Sequence, residues 1–146
     1  MVPFDELNVQ NHQIAETSKV LAKLIEDREL CDTDIVCELF MRYTDKVEAH
    51  MEFNNSHVYS VLLSNPERKV NATANKFLEG EKEVKKIFRA YMKRWCSHGL
   101  HISNHEMFLQ ETREIFDLVW ERIQAESEEL YPLVRKIDVE PLAKSA

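Results

Sequence analysis

The chain has 146 residues, 44% hydrophobic and 31% charged, with only two glycines and four prolines and a formal net charge of −7. That length suits a single domain able to bury a core without staples, and few breakers among many Glu, Lys, Leu and Ala favour long helices over a β sandwich. The acidic balance argues against nonspecific nucleic-acid binding, which needs a basic face, and against docking on anionic lipid.

Four helices are expected in chain order. The first runs from Asp5 to Arg28, with Ile14, Leu21, Leu24 and Ile25 at helical spacing. Asp32-Thr-Asp34 offers caps for the second, whose stripe is Val36, Phe40, Tyr43, Val47, His50, Asn54, Val58 and Val61; Ser64-Asn-Pro66 ends it. The third spans Asn71 to Cys96 on a stripe of Phe77, Glu81, Val84, Phe88, Tyr91 and Trp95, and His98-Gly99 terminates it. Ser103-Asn104 caps the fourth, which carries Phe108, Ile115, Val119, Arg122, Glu126 and Leu130 and stops near Pro132. Short connections predict an all-α, antiparallel up-down-up-down four-helix bundle over residues 1–136, with 137–146 a frayed tail. Ser56-His-Val-Tyr-Ser60 echoes Glu128-Glu-Leu-Tyr-Pro132, as in a weak helical-hairpin repeat.

The informative residues are the polar ones on those apolar stripes, because an inward polar group costs a few kcal/mol unless paired or metal-bound. His50 and Asn54 are one turn apart, as are Arg122 and Glu126. Glu81 interrupts the third stripe, and His12 lies near the inward side of the first helix, with a surface histidine as the alternative reading for it. Antiparallel packing brings all six to a similar height. Inward Glu and His on facing helices is how bundles build metal sites. The alternative is a polar layer that satisfies itself, with Arg122 supplying donors to Glu126.

The same residues carry a family resemblance. The first helix reads Asn11-His12-Gln-Ile14, the second Ala49-His50-Met-Glu-Phe-Asn54-Asn-Ser-His57-Val-Tyr59-Ser60, and the fourth Arg122-Ile-Gln-Ala-Glu126-Ser-Glu-Glu-Leu-Tyr131-Pro132. Over nearly its whole length the chain resembles the hemerythrin-like (HHE cation-binding) family. Its members place a histidine early in the first helix and another in the third. The second and fourth helices each carry a His-x-x-x-Glu pair ahead of a Leu-Tyr-Pro-like end. By that resemblance His12, His50 and Glu126 match as metal ligands, and Glu81 is a stand-in taken from the stripe.

Three departures accompany the match. Asn54 stands where the family has a bridging glutamate, Arg122 where it has a histidine, and the third helix lacks a histidine before its terminus. The resemblance implies non-haem iron or another divalent metal, and through it O2 or NO, in a sensing or iron-handling role. The remaining ligands allow at most a mononuclear site. The rival expectation is a metal-free helical bundle, a regulatory or interaction protein in which Arg122–Glu126 replaces the metal. A third is a redox enzyme using the iron for peroxide or nitric oxide chemistry.

Other patterns carry less. His98-Gly-Leu-His101-Ile-Ser-Asn-His105 has spacing for a surface zinc but crosses a helix end, a loop and a new cap, and reads as a solvated connector with a capping role. His57 belongs to the surface or edges the polar layer. Cys31, Cys37 and Cys96 are unclustered, as reduced thiols of a cytoplasmic protein are. Asn71-Ala-Thr73 matches a glycosylation acceptor by chance, since no signal peptide accompanies it. No stretch approaches the roughly 20 apolar residues of a membrane span. No nucleophile constellation or phosphate-cradling loop is visible.

Overall fold

The computed structural model describes residues 2–96 and 102–137. Helix α1 spans Phe4–Glu26. Helix α2 runs as Asp34–Asn54, passes through a π-helical turn at Asn55–Tyr59 and closes with Ser60–Leu63. Helix α3 spans Arg68–Trp95. Helix α4 runs as His105–Ala125, a second π-helical turn at Glu126–Leu130, and an α-helical end over 131–137. Among the described residues there is no strand, and the fold is an all-α four-helix bundle. No helix among them is long and apolar enough to cross a membrane.

At α1–α4 and at α3–α4 the contacts run with residue numbers in opposite directions. Phe4 of α1 meets Tyr131 of α4, and the Ile25 carbonyl at the other end of α1 accepts from His105 Nε2 at 2.7 Å. Between α3 and α4, Trp95 packs on Phe108 and Phe77 on Arg122.

Local chemistry sets the boundaries. Asn104 caps α4, its side chain accepting from the Met107 amide at 3.1 Å. Thr33 occupies the N-cap of α2 with extended backbone, but its hydroxyl donates back to the Leu30 carbonyl at 2.8 Å rather than capping. The third helix begins at Arg68, a turn before the expected Asn71. Asn71 instead closes the α2–α3 turn, its Nδ2 donating to the carbonyls of Leu62 at 3.0 Å and Asn65 at 2.9 Å.

Pro132 does not stop α4. A proline inside a helix lacks a donor and crowds the carbonyl one turn back. Here the preceding turn is π-helical, with the Tyr131 amide bonded to the Glu126 carbonyl, so that the wider turn displaces the carbonyls the ring would strike. Residue 137 is still helical, and residues 138–146, with the rest of the expected tail, lie outside the described residues, as do His98, Gly99 and His101.

The core divides in two. A larger apolar cluster gathers Ile14, Phe40, Tyr43, Phe88, Phe108 and Val119 with their neighbours. A smaller one holds Leu7, Val58, Leu62, Phe77, Leu130 and Val134. On every helix the changeover falls at a polar residue: Gln10 between Leu7 and Ile14, Asn54 between Met51 and Val58, Glu81 between Phe77 and Val84, Glu126 between Ile123 and Leu130. A polar layer therefore crosses the bundle between two apolar ends. Full burial of each large apolar side chain stabilises the fold by about 1.5–3 kcal/mol, so the ends hold the layer in place.

Candidate functional site

The layer centres on Glu126, which is 1% exposed on α4 and begins its π-helical turn. From α2, His50 Nε2 lies 2.9 Å from Glu126 Oε1, and Asn54 Nδ2 donates to Oε2 at 3.1 Å. From α4 itself, Arg122 Nε donates to Oε2 at 3.3 Å, and the Tyr131 hydroxyl approaches Oε1 at 3.4 Å. Both carboxylate oxygens are therefore doubly contacted, by residues of two helices.

A second tier closes around these residues. Gln10 Oε1 on α1 accepts from His50 Nδ1 at 2.9 Å. Arg122 Nη2 donates to the Tyr59 hydroxyl at 2.8 Å, and the guanidinium lies 5.1 Å over the Phe77 ring. The Tyr131 hydroxyl also donates to Asn54 Oδ1 at 3.3 Å. Burial pushes both tyrosine phenols up; the Glu126 charge adds to this, while Arg122 opposes it at Tyr59. Both hydroxyls therefore remain neutral hydrogen-bonding groups.

The π-helical turns explain why the two tyrosines arrive here. Tyr59 ends the turn that comes after Asn54, and Tyr131 comes directly after the turn that Glu126 begins. One extra residue per turn rotates the downstream helix relative to an unbroken α-helix, bringing each hydroxyl back over its own layer. The echo of Ser56–Ser60 in Glu128–Pro132 is the sequence trace of this pair of turns.

Hydrogen bonds orient the His50 ring. Gln10 Nε2 donates to Glu6 Oε1 at 3.3 Å, which orients Gln10 Oε1 as an acceptor toward His50. Nδ1 then carries a proton, and Nε2 sits between Glu126 Oε1 at 2.9 Å and Asn54 Nδ2 at 3.2 Å. The guanidinium of Arg122 is the permanent cation against the Glu126 carboxylate.

Of the other expected ligands, Glu81 is buried at 3% exposure but turns to different partners. It accepts from Asn55 Nδ2 at 3.1 Å and pairs with Lys85 Nζ at 3.1 Å. His12 is exposed on α1, lining a surface groove beside Trp120 and Ile123, and Gln10 rather than His12 reaches His50. His57 is exposed and stacks on Phe53 with centroids 4.2 Å apart. His105 donates to the last turn of α1, a capping contact.

As arranged, the donors do not fit a metal ion. Among the described residues no three His, Cys, Asp or Glu side chains converge. The His50–Glu126 pair is closed by its own hydrogen bonds, and a guanidinium sits where a metal cation would have to approach Glu126. Residues missed from sequence are Gln10, Tyr59, Tyr131 and Gly80. A Cβ on Gly80 would lie 2.6 Å from Arg122 Nη1. Its signal was available, since a glycine inside a helix marks a packing or functional need.

No protein-family model matches the chain, and neither a curated protein nor a solved structure is similar to it.

Proposed function

We propose that the chain is a metal-free bundle of hemerythrin-like pattern, working as a regulatory or interaction protein in which the Arg122–Glu126 pair takes the place of a metal. The observation that carries this is the fourfold contact on the Glu126 carboxylate by His50, Asn54, Arg122 and Tyr131. A buried carboxylate so held needs no metal to offset its desolvation. A metal would have to displace a permanent cation and break bonds that cost about 1–3 kcal/mol each to leave unmade. Trp120, 48% exposed beside the α1–α4 groove, is the kind of side chain that interaction surfaces favour.

The test is metal content and melting temperature of protein prepared with EDTA or with ferrous iron, manganese or zinc. The expectation is substoichiometric metal and an unchanged melting temperature in every preparation. Near-stoichiometric metal that raises the melting temperature and is lost in His50→Ala would replace this reading with a mononuclear site open to O2 or NO.

A further inference from the structure

Arg122 spends two of its three nitrogens inside the protein, Nε on Glu126 and Nη2 on Tyr59. Nη1 has no acceptor among the described residues, and it faces α3 at Gly80. Because residue 80 has no Cβ, the α3–α4 seam opens there into a cavity of ≈ 290 Å³ lined by Lys76, Phe77, Gly80, Arg122, Ala125 and Glu129. Glycine in a helix interior costs about 1 kcal/mol relative to alanine. At this position that cost keeps a guanidinium in reach of solvent.

The charges agree with the shape. Arg122 is a permanent cation held by Glu126 and Tyr59, and the buried neighbour Glu81 is already paired with Lys85 at 3.1 Å. At the rim Lys76 meets Glu129 at only 3.8 Å, with both side chains mostly exposed, a pair weak enough to exchange partners. Phe77 and Ala125 provide apolar wall between rim and floor.

We propose that this cavity binds a small oxyanion, a carboxylate or phosphate group, with Arg122 Nη1 as its donor and Lys76 as its second cation. The inference rests on Arg122 being the cation of the layer, and names the ligand class that the regulatory reading leaves open. The anion occupies the guanidinium nitrogen that Glu126 and Tyr59 leave unused, and those two hold the guanidinium still, so little ordering is spent on binding. Glu129 competes for Lys76 and sets the affinity.

The experiment titrates EDTA-treated protein with acetate and, separately, with inorganic phosphate at constant ionic strength. The Arg122 side-chain nitrogen resonance and the melting temperature are monitored. The expected result is a saturable shift of that resonance together with a rise in melting temperature; the anion that saturates at lower concentration identifies the headgroup. Lys76→Ala weakens binding about threefold and Glu129→Gln strengthens it about threefold, the scale of an exposed ion pair. Gly80→Ala, which fills the mouth, abolishes the response. No saturable shift with either anion, or equal affinity in Lys76→Ala, Glu129→Gln and the parent protein, overturns the proposal. The rim variants carry the test even if Gly80→Ala does not fold. Failure of the titration in metal-free protein refutes the anion site alone, whereas His50-dependent metal uptake refutes the reading of the layer beneath it.

Discussion

At one end of the bundle Phe40 meets Tyr91 and Phe108 with ring centroids 6.0 and 6.2 Å apart, and Tyr43 meets Phe88 at 6.0 Å. A few turns away His50, Asn54 and Glu126 are buried just as deeply, at 3%, 0% and 1% exposure. The aromatic end is held by many small dispersion contacts, each replaceable by a neighbour. The polar layer is held by a few directed bonds. Losses at the aromatic end should therefore follow volume, whereas losses in the layer should follow the number of groups left unpaired.

The largest expected contrast comes from matched changes to leucine. Asn54→Leu keeps the heavy-atom count but removes a donor from Glu126 and an acceptor from Tyr131, and should cost about 2–3 kcal/mol in urea unfolding. Phe108→Leu removes more atoms from the aromatic cluster yet should cost less, about 1–1.5 kcal/mol, because the cluster repacks. Equal costs would erase the distinction between the regions.

Gly80→Ala should come next. In the parent chain the new Cβ meets Arg122 Nη1 at 2.6 Å, so the substitution should destabilise by about 1–2 kcal/mol despite alanine's better helix propensity. In an Arg122→Leu background, which cannot make that contact, the same change should be neutral or stabilising by up to about 1 kcal/mol. Destabilisation by the same amount in both backgrounds would detach Gly80 from the layer.

The smallest effect near neutrality is one the two regions share. All four tyrosines, Tyr43 and Tyr91 at the aromatic end and Tyr59 and Tyr131 at the layer, have phenols raised by burial above the ordinary 10.0. The folded chain holds protons that the unfolded chain releases above about pH 10, so this contribution is complete below that pH and falls as pH rises past it. Phenolate absorbance should appear only together with loss of helical circular dichroism. Phenolate forming in a still-helical protein would mean that one of the sites is open to water.

Much of the fold was legible because the apolar stripes repeat at helical spacing and because Asn104 is a strong cap. His50, Asn54, Arg122 and Glu126 were legible as polar interruptions of those stripes. Glu81 was legible as buried, but not its partner Asn55, which lies in a π-helical turn that an α-helical wheel misplaces. The same blindness made Pro132 read as a stop. His12 read as near the inward side of the first helix or on its surface, and the structure exposes it. It lies two residues, and so about 200° around the helix, from buried Ile14, and the side chain that reaches inward is Gln10.

The most direct test of the layer is a double-mutant cycle on its own cation and anion. Arg122→Leu, Glu126→Leu and the double variant would be compared with the parent by equilibrium urea unfolding. Each single change leaves a buried charge or its partners uncompensated and should cost about 3–5 kcal/mol. The double change should cost less than the sum by about 2–3 kcal/mol, the signature of one network. Costs that simply add, with no coupling, would contradict a self-closed layer built on Arg122 and Glu126.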